Sequence, residues 1–577
     1  MASFTSVKSG DWNDPTVWGN LAGGEYPSKT TDEDTVTISS GHTVTYNIDN
    51  SSAGTNHRLG TISIRGTFNV DTTQSTYCWM RGRFYFIQYL AGFVCGSYAS
   101  PLSSAYTFQV EYDLLNNNDY EWLDYNENSC RVDLHGAYKT QKEYLSATAS
   151  SAQADITFTT IPSDWAVGDR LVILSSSETG TARYTENEEV EIQSISSNTA
   201  TLTGNLTYSH SAGTMVMNMT RNIRFFATDP TKQTGPLYHN VQMTSENIEL
   251  LNIGSTYVFR SGASNNEPWK LEGASISNAI GAITFLDSND GINFIDCNFY
   301  GFAGGGIKGN NRNGIANFEG CLFAGITGSV IDNSGNRAPK WTFTNCVLAC
   351  SSSNGVYSGL FDLYMNNCYF YGLNGYAMYK RYNPVFLQNC FFGEREDGSS
   401  QTNASASLRS YNAMYYMNDC KFNDATLIST HESDRRGLMY WSSNHNQVYG
   451  DFNVYDGNGT IMLTNDATVY RTTAPSIKMN CERDTSPTPH KIQFKVEAST
   501  SYTITIYGKR ADTGWTHNPK ATLSGCGIFD KTEWTTNDTN WNAVTLTGTT
   551  TRAGIIEVII THYDNGGFFY VDDISIV

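Results

Sequence analysis

The chain has 577 residues, long enough for several domains and a large buried core. Its 37 basic and 56 acidic residues give a formal charge of -19, which disfavours nucleic acid as a partner. No apolar run of about 18 residues is present to span a bilayer. With 16% charged residues, 35 Tyr, 28 Phe, 50 Gly and 13 Pro, the composition predicts an all-β chain rather than a disordered acidic one.

The first residues, Met1-Ala2-Ser3-Phe4-Thr5-Ser6, lack the charged and apolar regions of a secretory signal, so synthesis and folding in a cytoplasm are expected. Thr35-Val36-Thr37-Ile38 and Thr43-Val44-Thr45-Tyr46 flank Ser40-Gly41-His42 and read as a hairpin-like strand pair. Thr61 to Phe68 and Ala91-Gly92-Phe93-Val94-Cys95-Gly96 alternate and close on Gly, as early rungs of a solenoid would.

Eight segments, in order, resemble the G-eight domain of fibrocystin-type proteins and cell-surface hyaluronidases. They are Trp12/Trp18, Gly41-His42-Thr43-Val44, Cys95 to Leu102, Asp133-Leu134-His135-Gly136, Asp164 to Arg170, Glu186-Asn187-Glu188, Leu206 to His210, and Met219 to Ile223. The resemblance implies a parallel β-helix with residues 1–225 as its N-terminal part. The hyaluronidases follow this domain with a Gly-Arg-Tyr-Pro-x-His-Phe-His stretch; residues 255–278 contain no His, so the resemblance brings the fold and not the activity. Trp165 reads as a packed aromatic beside a turn, and Arg221 with Asn222 as the anchor of a rung corner. His42, His135 and His210 have no metal-ligand spacing.

Residues 226–430 carry the decisive repeat, apolar-x-[Asn/Asp/Gly]-Cys-x-[Phe/Leu]. Its cysteines are Cys297, Cys321, Cys346, Cys368, Cys390 and Cys420, spaced 24, 25, 22, 22 and 30 residues apart. One unit per rung, stacked in parallel at about 4.8 Å, predicts an internal ladder of buried thiols. The residue before each Cys suits a left-handed corner. Zinc would need close Cys or Cys/His pairs, and only Cys346 and Cys350 approach that.

The rung turns also hold carboxylates, Asp287, Asp290, Asp332, Asp362, Glu394, Glu396 and Asp397, with Lys380, Arg381 and Arg395 as the nearest cations. Glycosidase or lyase chemistry would draw on such groups, whereas turns select Asp for local hydrogen bonds. Tyr371, Tyr376, Tyr379 and Tyr382 read either as a shallow sugar-stacking groove or as buried stacking along the helix.

Residues 431–473 read as a cap or linker. Residues 474–577 carry short alternating strands that predict an antiparallel β-sandwich. This part resembles jelly-roll carbohydrate-binding domains through Tyr502-Thr503-Ile504, Trp541 to Val544 and Val571-Asp572-Asp573-Ile574. That resemblance implies a structural calcium with Asp572 as a ligand. Trp515 and Trp534 are the sugar-stacking candidates, with a buried sandwich tryptophan as the competing reading. Cys481 and Cys526 would pair only in an oxidising compartment.

The expected fold is therefore all-β, a right-handed parallel β-helix followed by a C-terminal antiparallel β-sandwich of jelly-roll type. The expected role is a virion surface protein, a tail fibre, tailspike or decoration, that contacts host glycans and other virion proteins. A β-helix polysaccharide lyase or hydrolase and a bacterial cell-surface adhesin are the alternatives, and no catalytic residue is singled out. β-Helix spikes often form homo-oligomers, but no heptad repeat is present to indicate one.

Overall fold

The structure is a computed structural model. It describes residues 2–576 apart from 20–22, 50–57, 74–77, 83–85, 89–91, 115–123, 126–129, 235–236, 262–268, 287–290, 310–314, 334–339, 359–361, 381–384, 406–407, 411–414, 424–427, 431–437, 441–452, 456–460, 467–475, 481–487, 497–498, 511–517, 535–539, 552–553, 563–567 and the single positions 32, 240 and 419. The chain is all-β, a parallel β-solenoid of about 11 turns with almost no helix. It divides into two compact units, Met1–Tyr357 with Gly372–Asn374, and Ser358–Tyr371 with Gly375–Val577.

In the first unit two sheets run from the start of the coil. One joins Ser3–Thr5, Asp34–Ile38, Leu59–Ile64, Phe108–Tyr112, Ile223–Ala227, Ile248–Leu251 and Asn298–Tyr300, among others. The other joins Thr43–Tyr46, Thr67–Val70, Gly92–Cys95, Cys130–His135, Val241–Glu246, Trp269–Glu272, Gly291–Ile295 and Ile315–Glu319. A third sheet begins at Leu237–His239. The hairpin reading of residues 35–46 is corrected here. Asp34–Ile38 and Thr43–Tyr46 belong to different sheets and pair in parallel with the next rung. Ser39 to His42 turn a corner of the coil, and Gly41, at φ 79°, provides the left-handed step.

Alternation explains the core. Along Ile315–Glu319 only Ala316 and Phe318 are buried, and parallel register sets each buried residue over its counterpart. Phe318 therefore stacks on Phe294 and Phe343, with ring centroids 5.3 and 4.6 Å away. Phe299 and Phe323 stack at 4.8 Å.

The residue before five of the six ladder cysteines is described and is left-handed: Asp296, Gly320, Asn345, Asn367 and Asn389 have φ between 49° and 63°. That turn directs the following Cys inward. Cys321 lies within hydrogen-bonding reach of Cys297 and Cys346 in the first unit, and Cys390 within reach of Cys368 and Cys420 in the second. The sulfurs of Cys297, Cys321 and Cys346 also donate to the carbonyl two residues back, at 3.3–3.5 Å. All ten cysteines among the described residues are thiols rather than disulfides, Cys346, Cys350 and Cys526 included. Burial pushes the Cys321 and Cys390 thiols well above their ordinary pKa, so they stay protonated and unreactive.

Residues 142–218 are not rungs. They form a six-stranded antiparallel sheet inserted between Cys130–His135 and Ile223–Ala227. Its own core holds Phe158, Trp165, Leu171, Ile192 and Val216. Trp165 packs edge-on to Phe158 and donates its indole N–H to the Thr140 carbonyl at 2.9 Å. Beyond the insertion the coil resumes in register, Phe108–Tyr112 pairing with Ile223–Ala227. Buried Arg221 fixes that junction by donating from Nε to the Gly273 carbonyl at 2.6 Å, while Asn222 donates to the Leu102 and Tyr106 carbonyls, each at 3.1 Å.

In the second unit Asp362–Asn366 pairs in parallel with Val385–Gln388, and Tyr369–Tyr371 with Phe391–Phe392. The C-terminal strands are antiparallel. Ser501–Arg510 pairs with Asn542–Thr549 and Phe568–Ile576. Gly554–His562 lies between Thr488–Val496 and Lys520–Gly525 in a separate sheet.

Candidate functional site

Parallel register turns sequence into columns. Just before the left-handed corner the column reads His135, Glu246, Glu272, Ile295, Glu319, Thr344. Each pair is one rung apart, about 4.8 Å along the axis. The corner residues that follow are Gly136, Asn247, Gly273, Asp296, Gly320 and Asn345. A cleft of about 420 Å³ opens at this edge, floored by Glu246, Glu272 and Asp296 and walled by Tyr98, Tyr138 and Lys142.

Each wall has a local cause. Ser97 and Ser100 bridge across a tight turn that follows Gly96, which sits at φ 70°, and the turn carries Tyr98 outward. Leu102 then returns to the coil by donating its N–H to the His135 carbonyl at 2.8 Å. The opposite wall, residues 137–142, is the stem of the insertion. It is pinned by Ala137 N–H on Asn222 at 2.9 Å, Lys139 on Asp169 at 2.5 Å and Asn298 on the Gln141 carbonyl at 3.1 Å. Tyr98 and Tyr138 are 75% and 73% exposed, so two aromatic faces stand open at a rigid polar cleft.

Below them His135 Nδ1 lies 3.1 Å from a Glu246 carboxylate oxygen, with both residues buried. Among the described residues the other Glu246 oxygen is buried without a hydrogen-bond partner, and so is the Gln141 amide nitrogen; both residues line the cleft. A buried polar atom left unpaired costs about 1–3 kcal/mol, so the fold retains an acceptor and a donor here at a loss of stability. Lys270 contacts Glu272 at 2.7 Å, and that hydrogen bond raises the lysine pKa. Burial, and then the Glu272 and Glu319 charges, hold the Asp296 carboxyl above its ordinary value, with Lys142 opposing. The arrangement suits a hydroxyl-rich ligand, offering acceptors, a donor and open ring faces.

The residues singled out in the sequence lie elsewhere. Tyr371 is 3% and Tyr379 9% exposed, in the second unit, where half-buried Tyr376 approaches Tyr379 with centroids 6.1 Å apart. Trp534 is 3% exposed; it packs edge-on to Phe569 at 4.9 Å and donates to the Asn542 carbonyl at 3.0 Å. A sugar could stack on that indole only if this packing opened. Tyr382 and Trp515 lie outside the described residues, as do Asp287, Asp290, Arg381 and Cys481. Asp572 is on Phe568–Ile576, opposite Tyr507, and its side chain lies outside the described residues. Among the described residues no group of three or more His, Cys, Asp or Glu is placed to hold a metal.

Of the turn carboxylates, Glu394 accepts from Lys421 at 2.5 Å and Asn423 at 2.9 Å, and Asp397 accepts from the Ser399 amide at 2.9 Å. Buried Lys380 has its pKa lowered to about 7 by desolvation, so it presents no open cation. Sequence reasoning passed over Tyr98, Tyr138, Glu246 and Glu272. The available signal was a Glu directly before a corner Asn or Gly at 246–247, 272–273 and 319–320.

No protein-family model matches this sequence, and no curated protein does. Solved structures give a faint likeness. The Gp54 tailspike of Acinetobacter baumannii bacteriophage AP22, solved with an A. baumannii capsular saccharide, is 11% identical over 97% of this chain and 94% of its own, with a TM-score of 0.24. The Pseudomonas phage phi297 tailspike gp61 is 12% identical over 85% and 90%, with a TM-score of 0.19. A family 16 carbohydrate-binding module is 13% identical and covers 20% of this chain and 85% of its own, with a TM-score of 0.17. At such scores no residue role passes from these proteins to this one.

Proposed function

We propose that this chain is a virion surface protein of spike or fibre type that contacts a glycan through the corner cleft of its β-solenoid. The observation that carries the reading is the pair of open tyrosines, Tyr98 and Tyr138, at a cleft floored by Glu246, Glu272 and Asp296. Aromatic faces beside fixed hydrogen-bonding groups are what a pyranose ring needs. The protonated thiol ladder suits assembly in a reducing cytoplasm, as for a virion component. Kinship with the G-eight domain is part of the proposal; the buried, edge-packed Trp12 and Trp18 support it. A jelly-roll carbohydrate-binding role for residues 474–577, with Trp515 and Trp534 toward sugar and Asp572 toward calcium, is a second and separate surface. The antiparallel pairing there supports its fold.

The test is the full chain on an array of bacterial surface glycans, with and without the Tyr98→Ala/Tyr138→Ala pair. Binding that the double variant loses supports the cleft; binding that it keeps moves the contact elsewhere. Antibody labelling of intact particles checks the virion role. Cleavage is the alternative favoured by one observation: Glu246 and Glu272 are in register on adjacent rungs, and glycosidase chemistry uses a pair of carboxylates. Reducing ends released from a bound glycan, and not by Glu272→Gln, would establish it.

A further inference from the structure

The corner column holds an exception. At this turn the backbone needs a left-handed residue, and Asn provides it at 247, 345, 367 and 389, Gly at 273 and 320. Asn adopts that conformation readily because its short side chain bonds locally. Asp296 alone among these described corners carries a carboxylate. It is exposed at the cleft beside Glu272 and Glu319, and desolvation followed by those two charges raises its pKa. A Cβ built on Gly320 would fall 2.0 Å from Asp296 Oδ1, so the side chain extends along the axis toward the next corner. Asn would occupy that space without the charge. An exposed carboxylate that lines a cleft, at a corner that Asn or Gly fills in these other described turns, is placed to contact a ligand.

The charge balance then says which ligand. The cleft is lined by Glu246, Glu272 and Asp296, against Lys142 as its only lining cation among the described residues. Lys270, next to it, is already engaged by Glu272 at 2.7 Å. Among the described residues one lining cation faces three carboxylates, so on balance a uronate or a sialate would be repelled.

Resting on the glycan reading above, we propose that the cleft selects a sugar segment without a carboxylate, preferring one with a free amine, and that Asp296 is the residue that contacts it. This separates the site from the uronate-directed lyase reading, in which a cation must face the acid group.

The experiment sorts an array of bacterial capsular and lipopolysaccharide glycans by charge and applies the full chain and Asp296→Asn. Retained glycans are expected to be neutral or amine-bearing, with amine-bearing ones falling off as salt rises. Asp296→Asn should weaken the best of them five-fold or more in a titration while its melting temperature rises. A residue with only a structural role would not move the two readouts in opposite directions. Retention of uronate or sialate glycans through Tyr98 and Tyr138 overturns the charge selection and leaves the glycan reading standing, as does unchanged affinity in Asp296→Asn. Retention of no glycan at all removes the glycan reading, and this inference with it.

Discussion

Two columns of the first unit are built on the same left-handed corner and have opposite characters. Inside, Phe294, Phe318 and Phe343, with Cys297, Cys321 and Cys346, repeat nearly unchanged from rung to rung. Outside, the column from His135 to Thr344 changes at almost every step, and the corner beside it changes with it. Parallel stacking rewards identity where like side chains fill one core. It penalises identity where like charges would face one another. Repetition therefore marks what holds the coil, and departure from it marks what the coil presents.

The sharpest break of that comparison lies in the core. Phe318→Ala removes the middle ring of a three-ring stack and should cost about 3–5 kcal/mol, seen as an earlier denaturant midpoint. A loss below about 1 kcal/mol would mean the repeat does not carry the stability. Gly320→Ala comes next. At φ 63°, with Asp296 in the way of a Cβ, it should lower stability by about 1–2 kcal/mol, and less in an Asp296→Gly background.

On the presenting side, Tyr98→Ala/Tyr138→Ala should leave the melting temperature within about a degree while cutting glycan affinity ten-fold. Asp296→Asn should act through pH. The folded carboxyl binds its proton more tightly than the unfolded one, so wild-type stability from this group is complete at low pH and is lost as pH rises through the raised pKa. The variant should melt a degree or two higher at pH 7, with no advantage near pH 3. The smallest effect belongs to the thiols: reductant should leave the melting curve unchanged, and the ladder cysteines should resist a thiol reagent until the chain unfolds.

Much of this was legible in the residues. The 22–30-residue spacing of the cysteines gave the coil, the Asn, Asp or Gly before each Cys gave its corner, and Arg221 with Asn222 was readable as an anchor. Thr35 to Ile38 and Thr43 to Tyr46 read correctly as short alternating strands, but as a hairpin pair rather than as partners of the next rung. Whether a short strand pairs with its neighbour or with the next turn depends on the corner between them.

What the sequence determined by itself is the periodic part of the molecule, because a repeating coil encodes each rung locally and its neighbours only confirm it. What only the tertiary structure decided is the cleft. Tyr98, Tyr138, Glu246 and Glu272 are scattered along the chain outside the cysteine repeat, and only Asp296 belongs to it. An antiparallel insertion at 142–218 loops out and returns to the same edge of the coil, so its stem becomes a wall. Parallel register then slides Glu246 beside Glu272, one rung apart. Neither event leaves a periodic trace, since each depends on where the backbone closes in space rather than on the spacing of residues along it.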